Sequence, residues 1–178
     1  MKRLRRISLH VPHALATLLL ARPMTTLGFV GVGLVLIGIG LRGWAAGLLH
    51  KGVELCTSGP YQYVRHPLYL GSTIGAVGLC LLANSLWVWV IVLPAFLIVY
   101  RWQVGEEERV LARAYGDAHA AWSSQVPMLL PRLSPIAPTT PRAWSLSRFL
   151  ANREANHAVM TLLLLALLYL KPHLVHWP

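Results

Sequence analysis

Charge is what this sequence has least of. Only 12% of its 178 residues are Asp, Glu, Lys or Arg, against about 25% in an ordinary soluble domain. Acids are scarcest, 6 against 16 Lys and Arg. Such a composition excludes a disordered chain, a coiled coil and most soluble enzymes. Cysteine is nearly absent too. Cys56 and Cys80 form no CxxC pair and no metal spacing, so neither a disulfide framework nor a metal site is implied. No basic stretch is long enough to line a nucleic-acid groove, although the net charge is +10. No internal repeat is visible. What is present is apolar: 56% hydrophobic residues and a mean hydropathy of +0.55. The expectation is a single domain, 1–178, dissolved largely in lipid, with its bases flanking membrane spans.

The apolar runs set the architecture. Lys2-Arg3-Leu4-Arg5-Arg6 precedes an apolar run, 7–21. A signal peptide begins this way, but Arg22-Pro23 follows in place of a small-residue cleavage site, so the run reads as a short first span. Residues 24–41 carry no charge and are long enough for a second. Their glycines (28, 31, 33, 38, 40) read as a surface for close helix packing, and that small-residue face is also a place to admit an apolar ligand. After a polar break at 42–66, spans at 67–83 and 86–102 form a hairpin about Asn84-Ser85. Pro94 sits inside the second of these. A charged helix from Gly105 to about Ser124 follows, then a connector with prolines at 127, 131, 135, 138 and 141. The last apolar run is 155–170. The predicted fold is an all-α integral membrane protein of five transmembrane helices.

Orientation follows from counting charges. With five spans and the N-terminus inside, 14 of the 16 Lys and Arg lie on the cytoplasmic side, and only Arg22 and Lys171 lie outside. If the first run did not cross, the split would fall to 10 against 6. The five-span arrangement places both polar regions, and all six acids, in the cytoplasm. The expected location is a bacterial inner membrane, with N-terminus and active site cytoplasmic.

Two clusters in those regions carry chemistry. The first is Gly59-Pro60-Tyr61-Gln62-Tyr63-Val64-Arg65-His66-Pro67-Leu68-Tyr69-Leu70-Gly71. The second is Glu106-Glu107-Glu108-Arg109-Val110-Leu111, continued by Tyr115-Gly116, Val126-Pro127 and Pro131. Arg65 alone reads as a residue snorkelling to phosphates, and the tyrosines as an aromatic belt. Three consecutive carboxylates at the end of a span are harder to explain structurally. Glu106 can pair with Arg109 at i,i+3. Glu107 shares a face with Leu111, expected to point at the hairpin and the 59–71 loop. A carboxylate there suits a cationic or hydroxyl-rich ligand.

The pattern G-P-Y-x-x-V-R-H-P-x-Y-x-G, followed after a hairpin by E-E-x-x-L-x-x-x-Y-G and V-P-x-x-x-P, resembles the isoprenylcysteine carboxyl methyltransferase family. That family is grouped with bacterial phospholipid methyltransferases and consists of S-adenosylmethionine-dependent integral membrane enzymes. The resemblance covers roughly 42–131. It implies a cofactor pocket on the cytoplasmic face, closed by 51–71 and 103–131. Carried over residue by residue, it makes Val53, Glu54, Leu55, Cys56, Tyr61, His66, Pro67, Leu68, Tyr69 and Glu107 the cofactor-binding residues. Glu108 matches the second glutamate. The prenylcysteine enzymes carry an arginine where this chain has Gln103, and it holds the substrate carboxylate; Arg101 is the nearest cation, on a different helical face. These two are the candidate substrate contacts. His119 and Trp122 stand where the family usually has tyrosines.

The expected function is methyl transfer to a lipid-like acceptor at the membrane surface, either O- or carboxyl-methylation of a prenylated or other lipid, or N-methylation of a phospholipid. A carboxylate acceptor needs no general base; a phenol or ammonium does, and Glu108, His66 and His119 are the candidates near the site, with Glu108 and His66 taken as catalytic. The expected partners are membrane lipids and the lipid-like substrate, not nucleic acid. Two other readings remain: an NADPH-dependent sterol-type reductase, which shares R-H-P-x-Y, and a non-enzymatic membrane protein. Against the last, no charge lies in the interior of a span as an ion pathway would require, Arg101 standing at the end of 86–102. Binding of S-adenosylmethionine, NADPH or neither separates the three.

Overall fold

The computed structural model describes residues 12–21 and 25–174, with side chains for 12–21 and 28–171. Among the described residues there is no strand. Residues 12–20 form helix α1; the start of the expected first span lies outside the described residues. Then come α2 (Thr25–Leu48), a 3₁₀ turn (Gly59–Gln62), α3 (Pro67–Ala83), a π-helical turn (Val88–Val92), α4 (Leu93–Ser123), α5 (Leu146–Ala151) and α6 (Glu154–Leu174). Among the described residues three helical stretches are long and apolar enough to cross a bilayer: Gly28–Leu48, Val88–Ser123 and Glu154–Lys171. α3 is apolar but shorter. Apolar side chains such as Phe29 (83% exposed) and Ile98 (70%) stand outside the packed interior. Water penalises such exposure and lipid does not. This is an integral membrane protein.

Several boundaries differ from those expected. α2 continues seven residues past 41, because Arg42 is not a solvated end. Its guanidinium pairs with Glu154, with Nη2 3.0 Å from Oε2, and Nη1 donates to the Leu68 carbonyl at 3.0 Å. A charge so compensated interrupts nothing. The expected span at 86–102 and the charged helix after it are one element, with no break near Gly105. Pro94 is accommodated by the wider π turn just before it, since proline has no N–H to give the preceding turn. The break comes later, at Gly116, where φ is +46° and ψ −120°. The hairpin turn is as expected: Asn84 ends α3 in the left-handed conformation (φ 44°, ψ 46°), which asparagine tolerates. The short α5 was not expected.

α2 and α3 are in backbone contact. A Cβ on Gly38 would stand 2.5 Å from the Gly71 carbonyl oxygen, and one on Gly78 2.5 Å from that of Gly31. The spacing of seven on each helix, 31 and 38 against 71 and 78, lines one stripe of each. The stripe of α2 that carries Gly31 and Gly38 is thereby filled by α3 and has no room for an apolar ligand, whereas Gly33 and Gly40 face open space.

Two buried clusters mark opposite ends of the bundle. Ala21, Cys80, Leu82, Ala83, Val88, Val92 and Leu168 pack around the α3–α4 turn. Ala45, Leu48, Cys56, Tyr61, Trp122 and Val126 pack beneath the loop that follows α2. The second cluster is covered by residues 126–152, which also finish α2. A helix leaves its last carbonyls without partners. Here Ala46 and Leu49 accept from Asn152 (2.8 and 2.7 Å), Gly47 from Arg148 (2.9 Å), and Leu48 from Arg142 (3.1 Å).

Candidate functional site

The loop after α2 returns to the bundle through Gly59, whose φ is +61° and whose hydrogen side faces the Leu48 side chain; a Cβ there would lie 2.3 Å from it. Glycine alone meets both demands. The turn places Tyr61 inside, 6% exposed, and leads to His66-Pro67. Proline at the first position of α3 costs no helical hydrogen bond. The 62–65 backbone is then held from outside: Arg65 N–H donates to the Pro127 carbonyl (2.9 Å) and Arg132 N–H to that of Tyr63 (3.0 Å). This is the structural use of Val126-Pro127, with Val126 buried beside it.

Successive helical side chains rotate by about 100°, and the three glutamates of α4 face three ways. Glu106 pairs with Arg109 at the surface, on the edge of the cavity that Glu107 enters. Glu107 enters a cavity between α4 and the 49–69 segment. Glu108 turns to the other side, where one carboxylate oxygen meets Arg65 and the other lies 2.7 Å from His66 Nε2; His119 Nε2 is 3.8 Å away. The ion pair, the imidazole and the stacking of His66 edge-on to Tyr69 (centroids 5.8 Å apart) form one unit.

The cavity holds about 510 Å³. Glu54, Leu55, Cys56, Tyr61, His66, Pro67, Leu68, Tyr69, Gln103 and Glu107 line it, all expected. Arg65, Val110 and Tyr115, from the two motif clusters, and Lys51 and Trp122, from the regions flanking them, line it as well, though none was assigned a role there. Val110 was recoverable from its i+3 relation to Glu107. Leu49 was missed altogether, because it follows directly on α2, which was expected to end earlier. Three expected residues lie elsewhere. Val53 is 61% exposed and off the cavity wall, since the turn at Gly52 (φ +77°) directs it outward. Glu108 is not on the wall either; its two oxygens meet Arg65 and His66, which are. Arg101 lines a second, apolar recess on another face of α4.

The electrostatics of the cavity are uneven. Glu54 is paired with Arg142. Glu107 makes no ion pair or hydrogen bond. Tyr61 Oη and Gln103 Nε2 are buried without hydrogen-bond partners, an arrangement that costs free energy until a ligand supplies one. Burial holds the Tyr61 phenol well above its usual pKa, with Cys56 and Glu107 adding to the effect, so it stays a neutral donor. Burial likewise raises the Cys56 thiol, which makes it a wall and not a nucleophile. Acid, unpaired donors and apolar walls of Leu55, Leu68 and Leu111 fit a ligand that carries hydroxyl or ammonium groups beside an apolar portion.

A family model described as phospholipid methyltransferase matches residues 16–118, more than half of the chain. Two curated relatives are similar over 113 residues, 62% of this chain. The cobalt-zinc-cadmium resistance protein CzcN of Cupriavidus metallidurans is 37% identical over 50% of its own length. The nickel-cobalt-cadmium resistance protein NccN of Alcaligenes xylosoxydans xylosoxydans is 33% identical over 51%. The chain thus spans about half the length of the curated relatives it matches. No solved structure matches.

Proposed function

The chain belongs to the phospholipid methyltransferase family, and from that premise we propose that it is a membrane enzyme transferring methyl groups from S-adenosylmethionine to a lipid-like acceptor at the membrane surface. One observation carries the reading: both motif clusters meet at a single cavity that contains an unpaired carboxylate, Glu107, and two unpartnered buried donors, Tyr61 and Gln103.

S-adenosylmethionine supplies a methyl carbon already activated on a sulfonium, so the protein has chiefly to position and to exclude water. Glu107 binds the donor's hydroxyl or ammonium groups. Tyr61 and Gln103 offer hydrogen bonds to its polar atoms or to the acceptor. Leu55, Leu68, Val110 and Leu111 keep that wall dry. The acceptor's lone pair takes the methyl group as the carbon–sulfur bond breaks, and the electron pair leaves with sulfur. An amine acceptor also loses a proton, for which His66, held by Glu108, is the nearest base; a carboxylate acceptor loses none. We further propose the five-span arrangement, in which this cavity opens to the cytoplasm, where a water-soluble donor is found.

The relatives' names connect them with resistance to metals. Among the described residues no three His, Cys, Asp or Glu side chains gather into a metal-holding group, so no observation on this site favours direct metal capture as its second reading.

The test is calorimetric titration of the detergent-solubilised chain with S-adenosylhomocysteine, with NADPH as control. Saturable binding of the former is expected, and Glu107→Gln should weaken it by about 1.5–3 kcal/mol, the scale of a charge-assisted hydrogen bond. NADPH binding alone would move the chain to the reductase class. Wild-type affinity in Glu107→Gln would remove Glu107 from the site.

A further inference from the structure

One wall of the cavity is a loop without helix, carrying Leu49, Lys51, Glu54, Leu55 and Cys56, and it is held from outside. Residues 127–142 contain no helix either; prolines at 127, 131, 135, 138 and 141 favour an extended course. This strap runs antiparallel to 54–65. Beyond the Pro127 and Arg132 contacts already described, Ile136 N–H donates to the Gln62 carbonyl (3.3 Å), and its own carbonyl accepts from Gln62 Nε2 (3.0 Å). Thr139 N–H donates to Thr57 Oγ1 (3.1 Å), and Ser58 Oγ to the Thr140 carbonyl (2.8 Å). The register ends at Arg142, which pairs with Glu54 and donates to the Leu48 carbonyl at 3.1 Å. The strap lies beyond the residues 16–118 that the family model matches. The last pairing also sets the charge of the cavity. Three acids border it, Glu54, Glu106 and Glu107. Arg109 takes Glu106 at the surface. Arg142, its side chain only 10% exposed, takes Glu54.

We propose that Arg142 is a positioning residue of this cavity: from the strap it fixes the 49–58 loop and cancels the charge of Glu54, so that a ligand meets Glu107 as the free carboxylate. The charge matters because methyl transfer changes it. A sulfonium donor loses its positive charge when the methyl carbon leaves, so every free acid at the cavity favours donor over demethylated product. Binding energy spent on the donor before reaction brings no rate. A second free acid would hold the donor back, and Arg142 removes it. The inference rests on reading the cavity as the donor site, but the two fail separately.

The experiment titrates the full chain, in neutral detergent, with S-adenosylmethionine and with S-adenosylhomocysteine, which differ by one methyl group and one positive charge. Arg142→Gln should raise the ratio of donor to product affinity about threefold, the scale of a partly exposed ion pair. Glu54→Gln, which leaves the guanidinium uncancelled, should lower the ratio. The double variant and Arg142→Lys should both return to the wild-type ratio. A merely structural loss of the wall would weaken the two ligands alike and leave the ratio where it was. In the ligand-free chain, amide hydrogen exchange over 49–58 should quicken about tenfold in Arg142→Gln and much less in Arg142→Lys, because a loop without its anchor opens more often. A ratio unchanged in both single variants, or unchanged exchange in Arg142→Gln, would overturn the proposal. Should Arg142→Gln not fold, Glu54→Gln decides: a lowered ratio upholds the proposal and an unchanged one overturns it. Quickened exchange in a chain that binds neither ligand would uphold the clamp and refute the donor cavity.

Discussion

The two sides of α3 are built on opposite principles. Toward α2 it presents Gly71, Gly75 and Gly78, and the backbones touch: Gly38 and Gly31 approach carbonyls so closely that no Cβ fits. Toward α4 it presents Leu68, Tyr69 and Thr73, and the helices stand apart around two recesses. Small residues bring backbones together in lipid, where packing must replace the hydrophobic effect between helices. Large aromatic residues hold them apart: Tyr69, Tyr100 and Phe96 stack in series, with centroids 5.0 and 4.0 Å apart. The closed side is a frame and the open side encloses the two recesses. At Gly31, Gly38, Gly71 and Gly78, glycine therefore marks closed backbone contact, whereas Gly33 and Gly40 face open space.

The largest expected effect comes from the charge that locks the closed side. Arg42 ties α2 to Glu154 at the start of α6 and to Leu68 and Ser72 of α3. Arg42→Gln should destabilise by about 3–5 kcal/mol, because it leaves Glu154 buried and unpaired. The double variant Arg42→Gln with Glu154→Gln should recover most of that loss. Thermal unfolding in detergent reads both, and equal losses in the single and double variants would show the pair to be incidental. Gly78→Leu comes next. It must push α2 from α3 against the Gly31 carbonyl, an overpacking cost of about 1–3 kcal/mol. The same change at Gly33, which faces open space, should cost little, and comparable losses at both positions would break the contrast between packed and free glycine. The smallest effect belongs to the open side's outermost acid. Glu106→Gln removes a surface pair with Arg109, worth about 0.2–1 kcal/mol at most; Glu106 borders the cavity too, but its carboxylate is already paired, so S-adenosylhomocysteine affinity should stay near wild type beside the loss expected for Glu107→Gln. A loss as large at position 106 would mean that charge in general, and not the face occupied by Glu107, governs the cavity.

Much of this was legible in the chain. Apolar runs gave α3 nearly residue for residue, because Pro67 opens it and Asn84 closes it. The i,i+4 relation of Glu107 and Leu111 predicted a shared face toward the 59–71 loop, and both residues line the cavity with that loop. Failures arose where a distant partner changed a local rule. Arg42 was read as a helix end until Glu154, 112 positions away, neutralised it. Glu108 was expected in the cavity with Glu107, but it turns to Arg65 and His66 instead. Val53 was carried over by motif position, and a turn at Gly52 puts it outside.

By itself the sequence determined the solvent and the family. A chain with so few charges belongs in lipid, and two spaced motifs marked it as a relative of membrane methyltransferases, because period and motif are properties of neighbours along the chain. The tertiary structure decided which of three adjacent glutamates is free, which glycines are sealed, and that Arg101 and Gln103 serve different recesses. Those outcomes depend on partners brought together from remote positions. Only a folded chain sets the distances on which pairing and desolvation depend.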